Sequence, residues 1–363
     1  MHRLGAGSSN QDEAESRRAS ARPSAREITV EVLLNATKLS VGKHENLGHY
    51  LKRVTHLVLN GDASKALFGA IRKIQNLHHC PNLKVLYLYD NEVEVIENLD
   101  AVPQLTHLHL QGNSLCRIEN LESLRLLEKL YLEKNAISRL EGLAGCFRLQ
   151  ELYLANQRVP EDTFFSFEEE TLRTLAGSLR VLDLFNCRVA STKPLALLRS
   201  LEQLDLSKNL IEELEDVFAL VGGVTSLVEL DLRGNPVTGT TKYREKTITF
   251  SSARLTLLDK KDVDPNQRRM MQSHLAHKYR KRIEPASANS RRQSPEEGRT
   301  SGLSESTRML KHGATVHQLR SMQFTASHAK FRSERGGLGV AGASCSPSST
   351  ALVKASNNNS KYN

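Results

Sequence analysis

The chain lacks paired cysteines. Its five, Cys80, Cys116, Cys146, Cys187 and Cys345, are scattered with no C-x-x-C spacing. That argues against a zinc ribbon and a disulfide framework, and a reducing compartment fits best. No apolar run approaches the ~18 residues that a membrane crossing needs. The opening M-H-R-L-G-A-G-S-S-N-Q-D-E has no apolar stretch of the signal-peptide kind. A cytoplasmic protein without membrane contact is expected. Catalytic signatures are missing as well: there is no G-x-S-x-G, no G-x-x-x-x-G-K-[ST] and no H-E-x-x-H. Thirteen histidines include the pairs His78-His79 and His107/His109, but no third ligand stands at a fixed spacing. The expectation is of no enzyme, no cofactor and no metal, with no residue nominated as catalytic, cofactor-binding or metal-ligating.

The charge is unevenly spread. The net charge is +9, yet residues 265–363 hold 17 Lys and Arg against 5 Asp and Glu, whereas residues 46–264 hold 26 against 30. A mildly acidic body thus carries a strongly basic tail. Residues 1–26 are rich in Ser, Ala, Arg and Glu, and residues beyond Pro285 in Ser, Arg, Gly and Asn, so both ends are expected to be disordered.

Between the tails the sequence repeats. L-K-V-L-Y-L-Y-D-N from Leu83 is followed at intervals of 22 residues by L-T-H-L-H-L-Q-G-N, L-E-K-L-Y-L-E-K-N and L-Q-E-L-Y-L-A-N-Q. A degenerate copy, V-T-H-L-V-L-N-G-D, precedes them with Asp62 in the last position. Three more follow, ending at Cys187, Asn209 and Asn235. The pattern L-x-x-L-x-L-x-x-N resembles the leucine-rich repeat. It implies an α/β solenoid: a curved horseshoe with a parallel concave sheet, about eight repeats and a cap at each end, since a stack must cover its open apolar faces. The expected order is a disordered tail over 1–26, a partly helical cap over 27–52, repeats over 53–240, a cap over 241–264, a basic helix over 265–283 and a disordered basic tail over 284–363. Short helices are expected on the returning side, at I-E-N-L (96–99), I-E-N-L (118–121) and L-E-G-L (140–143).

Alternation along a strand sends the leucines inward and the residues between them outward. The final polar residue has donors and an acceptor for backbone groups where the chain turns. Asn91, Asn113, Asn135, Gln157, Cys187, Asn209 and Asn235 should therefore form a structural ladder, with the Cys187 thiol a substitute rather than a nucleophile. The outward column reads Val58, Tyr87, His109, Tyr131, Tyr153, Asp183, Asp205, Asp231. It is flanked by a column with Glu151 and Glu229 and by another with Tyr89, Glu133 and Phe185. An aromatic stripe thus gives way to an acidic one after Gln157. One reading is that tyrosine suits strands and aspartate solvates a surface. The other is a partner-binding face formed by Tyr87, Tyr89, His109, Tyr131, Glu133, Glu151, Tyr153, Asp183, Phe185, Asp205, Glu229 and Asp231.

The 22-residue period, the I-E-N-L returns and the closing N-P…Y-R…L-L-D resemble the leucine-rich-repeat regulatory subunits of protein phosphatase 1. V-L-Y-L-Y-D-N (85–91), L-E-K-L-Y-L (127–132), A-N-Q-R-V-P (155–160) and K-Y-R (242–244) carry the likeness, which spans about 28–282. The resemblance implies a non-catalytic protein that associates with the phosphatase catalytic subunit through its concave face, near the cytoskeleton, centrosome or cilium. Lys246-Thr247-Ile248-Thr249-Phe250 also fits the basic-x-Val/Ile-x-Phe form that many phosphatase partners insert as an added strand, but it falls in the cap, where Ile248 and Phe250 are needed for sealing. The basic tail admits three readings: a solvated charge run, an attachment to an acidic polymer such as tubulin or nucleic acid, or a kinase site at Arg291-Arg292-Gln293-Ser294. Nucleic acid comes last, because no aromatics interleave the charges. The alternatives to phosphatase regulation are a ciliary, centrosomal or microtubule scaffold, and a nuclear or nucleic-acid adaptor driven by the tail.

Overall fold

The computed structural model describes residues 25–37, 45–61 and 69–290, with side chains up to residue 278. The expectations for residues 1–24, Asp62, Arg291–Ser294 and the rest of the tail lie outside the described residues. Eight strands of three residues each run parallel in one sheet: β1 (His56–Val58), β2 (Val85–Tyr87), β3 (His107–His109), β4 (Lys129–Tyr131), β6 (Glu151–Tyr153), β8 (Val181–Asp183), β9 (Gln203–Asp205) and β10 (Glu229–Asp231). Each pairs in register with the next, so that Leu57, Leu86, Leu108, Leu130, Leu152, Leu182, Leu204 and Leu230 form one buried row. The chain folds as a leucine-rich-repeat solenoid.

The ladder explains why the last repeat position is polar. Asn135 donates through Nδ2 to the carbonyls of Leu110 (3.0 Å), one repeat earlier, and Leu132 (2.9 Å), in its own repeat; its Oδ1 accepts from Leu115 N at 3.1 Å. Asn91, Asn113, Asn209 and Asn235 repeat this bonding, each holding its own turn against the preceding repeat. Gln157 does the same through its longer amide. Cys187 bonds the Leu154 carbonyl through Sγ, at 3.0 Å, and burial pushes its thiol up to about 12. All seven ladder side chains are buried.

The expected short helices at 96–99, 118–121 and 140–143 are not there. Those returns are extended or turned, with Arg139–Leu140 forming the short strand β5. A helix advances only ~1.5 Å per residue against ~3.3 Å for extended chain, so a 22-residue coil has too few residues to return as one. A second asparagine row holds the turns instead. Asn76, Asn98 and Asn120 adopt left-handed backbone (φ 62°, 58°, 59°) and donate to the carbonyls of Ile28, Ile74 and Ile96 at 2.6–2.7 Å. At the next position a Cβ would stand 2.1 Å from the Ile118 oxygen, and the residue is Gly142.

The α-helices of the repeats occur where the step is longer, while the 22-residue step from Cys187 to Asn209 returns through a short 3-10 helix, Lys193–Leu197. The insertion after Gln157 forms β7 (Ser166–Phe167), paired parallel with β5, and then helix α3 (Glu169–Leu175). The step before Asn235 holds α4 (Leu214–Gly223). At the amino end, α1 (Val30–Asn35), capped by Thr29, and α2 (Leu47–Lys52), capped by Asn46, bring Leu33, Tyr50 and Leu51 over the first repeat. At the other end, α5 (Tyr243–Phe250), β11 (Leu257–Leu258) and β12 (Lys261–Asp262) close the stack. Helix α6 (Pro265–Ser290) follows. It continues past 283, where the disordered tail was expected to begin; Ala286 and Ala288 sustain helix propensity beyond Pro285. Arg268 anchors it, with its guanidinium buried against the Ala253 and Leu255 carbonyls, and Gln272 bonds the Thr249 carbonyl.

Candidate concave interface

The register that aligns the leucines also aligns the residues between them. Tyr87, His109, Tyr131 and Tyr153 stand on four successive strands, and their rings stack face to face. Centroid separations are 4.5 Å for Tyr87–His109, 4.1 Å for His109–Tyr131 and 4.8 Å for Tyr131–Tyr153, the last two pairs within 7° of parallel. Tyr89 meets Tyr87 edge-on at 6.4 Å. Strand spacing of ~4.8 Å is close to ring-stacking distance, so an in-register parallel sheet builds such a column from aromatic residues at one repeat position. With its faces mutually covered, the stack leaves ring edges and polar atoms for a partner.

The electrostatics follow from this packing. Burial, with help from His107, lowers His109 to about 4, so the imidazole in the stack is neutral. Burial raises the Tyr131 and Tyr153 phenols, which stay protonated. The Tyr153 hydroxyl donates to Glu151 at 3.0 Å, and Glu151 also pairs with Lys129 at 2.9 Å.

The acidic half differs from its reading in sequence. Asp231 is only 1% exposed and lies in a two-pronged ion pair with Arg233, two residues on. Burial would raise its pKa, but the Arg233 bonds outweigh that and hold it below the usual range. Asp231 is therefore a structural residue and not a contact. Its column places it outward, but Arg233 folds back over it. Glu229 is paired with Lys260. Asp183 accepts from Phe185 N at 2.9 Å, and Asp205 from Ser207 N at 2.8 Å, so each also shapes its own strand end. After these pairings, Glu133, Asp183 and Asp205 are the acids of the face without an ion pair among the described residues. Phe185 carries Lys208 over its ring at 5.1 Å.

The remaining candidates lie elsewhere. His78 and His79 pack together at 4.1 Å, and among the described residues no cluster of three ligating side chains exists. Cys80 and Cys146, both buried, are pushed up to about 11 and 12. The 246–250 segment is helical within α5, with Ile248 buried, so it offers no extended strand. Two features escaped the sequence reading. The first is the role of His109 in closing the stack, although its column position announced it. The second is the returning-side asparagine row, whose signal was the N-L recurring at 76, 98 and 120.

A family model described as leucine-rich repeats (2 copies) matches residues 81–126. Solved structures similar to this chain include an internalin from Listeria monocytogenes, at 23% identity and a TM-score of 0.45, covering 63% of this chain and 67% of that one. A leucine-rich-repeat protein of Leptospira interrogans matches at 24% identity and a TM-score of 0.46, over 67% of this chain and 56% of that one. A Toll-like receptor 13 complex with single-stranded RNA matches at 22% and 0.41, over 50% and 25% of the two chains.

Proposed function

We propose that this leucine-rich-repeat protein is a non-catalytic binding subunit whose concave face holds the catalytic subunit of protein phosphatase 1 and so regulates it. The observation that carries a binding role is the four-ring stack from Tyr87 to Tyr153. A rigid column of rings presents edges and hydroxyls at little conformational cost, which is what protein interfaces draw from tyrosine. The choice of phosphatase rests on the sequence resemblance to the phosphatase-1 regulatory subunits, and within them to regulatory subunit 42, the testis leucine-rich-repeat protein.

The mechanism is occupancy. The solenoid makes and breaks no bond; it covers part of the phosphatase surface and biases which substrates reach it. Its working place is the cytoplasm, with the cytoskeleton, centrosome or cilium as the site of assembly. The exposed Arg269 and Lys278 of α6 favour a second contact with an acidic partner such as tubulin. A pull-down of the purified phosphatase-1 catalytic subunit by the full chain tests the main reading. Saturable capture supports it, and no capture removes the phosphatase. Microtubule cosedimentation of the full chain, read against its salt dependence, tests the second contact.

A further inference from the structure

We infer that the loop over residues 161–164 is a second docking site for the partner proposed above, with the Phe164 ring entering an apolar pocket whose rim is basic. The inference rests on the phosphatase reading and adds a contact outside the concave columns. The loop is extra chain: Cys187 follows Gln157 by 30 residues, where the regular step is 22. Its tip is a turn in which Thr163 N donates to the Pro160 carbonyl at 3.1 Å. Phe164 follows that turn and is 56% exposed, whereas the next residue, Phe165, is buried.

Three observations set this ring apart from a scattered surface hydrophobe. First, its loop is braced. Arg188 donates through Nε to the Thr163 carbonyl at 3.1 Å and through a terminal nitrogen to the Glu161 carbonyl, and its guanidinium carbon lies 5.9 Å from the Phe164 ring centroid. Phe165 N donates to the Arg188 carbonyl at 3.2 Å, and the Phe165 ring meets Phe167 edge-on at 5.4 Å. An anchor held in place before binding loses little conformational entropy on binding. Second, the neighbouring acids are unspent. Glu161 and Asp162 are exposed, and neither is in an ion pair among the described residues; the Arg188 guanidinium is committed to carbonyls and the ring. Third, the brace springs from the rim of the concave face. Arg188 stands three residues beyond Phe185, and Asn186 Nδ2 donates to Asn156 Oδ1 at 3.2 Å, which ties the start of the extra chain to that rim. A partner seated on the concave columns can therefore extend onto the loop. Aromatic anchors that fill a pocket carry much of the energy of protein interfaces. Two free acids beside the anchor select a pocket with Lys or Arg at its mouth.

The test titrates the purified phosphatase-1 catalytic subunit calorimetrically into the full chain and into F164A, F164L, E161Q/D162N and Y131A/Y153A, with F147A as the exposed-ring control. Because Phe164 is at the surface, F164A should keep the native circular dichroism spectrum and urea midpoint. F164A should weaken binding at least about tenfold, and F164L, which keeps apolar bulk, should lose less. E161Q/D162N should weaken binding about fivefold at low salt and much less at high salt, where the charges are screened. Native affinity in F164A, or a loss no larger than that of F147A, overturns the docking site. No effect of E161Q/D162N at either salt concentration overturns the basic rim. A native chain that captures no phosphatase removes the phosphatase reading and the docking site together. A loss in Y131A/Y153A with native affinity in F164A keeps the concave face and removes the loop; the converse keeps the loop and removes the face.

Discussion

His109 and Tyr131 stack with ring centroids 4.1 Å apart and planes 7° from parallel. That contact makes one column out of two aromatic segments, because His109 is the only residue between Tyr87 and Tyr131 at this repeat position. Burial keeps that histidine neutral, because a protonated imidazole inside the stack would lose its hydration and face His107.

A pH dependence follows. The folded pKa of His109 lies at about 4, below the ordinary 6.5. The unfolded chain therefore binds more protons in that window, and stability falls as the pH drops from about 6.5 towards 4. H109F keeps a ring in the stack and removes the titrating group. Urea midpoints between pH 7 and pH 4 should fall less for H109F than for the native chain; identical profiles would show that His109 is not held neutral by the stack.

N135A should be among the more damaging single changes in the repeats. It leaves the Leu110 and Leu132 carbonyls and the Leu115 amide without their buried partner, at a cost of roughly 3 kcal/mol. C187S swaps one donor for another against the Leu154 carbonyl and should cost less than about 1 kcal/mol. Chemical denaturation of the two variants checks the ranking.

On the returning side, the backbone and side-chain roles of Asn120 can be separated. N120G keeps the left-handed turn and loses only the bond to Ile96, about 1 kcal/mol; N120A adds the strain of φ 59° and should be worse. Equal midpoints for the two variants would mean that the backbone conformation contributes nothing.

Arg268 should control the docking of α6. R268A removes the bonds to the Ala253 and Leu255 carbonyls and leaves a hole at the cap. Hydrogen exchange in the first turns of α6 should speed up while the β4–β8 amides keep their protection. Unchanged exchange in α6 would show that Met271 and Gln272 suffice to hold it.

The sequence made the repeat number and the inward and outward columns legible, because a strand alternates with period 2 and the leucines mark the register at every step. The ladder residues were legible for the same reason. What sequence could not convey was pairing within the face. Asp231 and Arg233 belong to different columns, yet they fold onto each other, since a bidentate ion pair needs only two residues of separation where a strand ends. The same holds for Glu229, whose partner Lys260 is 31 residues away in the cap. The returning helices at 96–99, 118–121 and 140–143 were misread because a 22-residue step has too little chain for an α-helix: α3 and α4 occur in the longer steps, and the 22-residue step to Asn209 holds only the 3-10 helix Lys193–Leu197.

The central claim, that the ring stack is the partner-binding surface, is tested most directly by titrating the purified phosphatase-1 catalytic subunit calorimetrically into the full chain, into Y131A/Y153A and into F147A, whose ring lies outside the concave columns and is 60% exposed. The account predicts that Y131A/Y153A loses at least about 2 kcal/mol of binding free energy while F147A binds as the native chain does. Native affinity in Y131A/Y153A, or a loss confined to F147A, would contradict it.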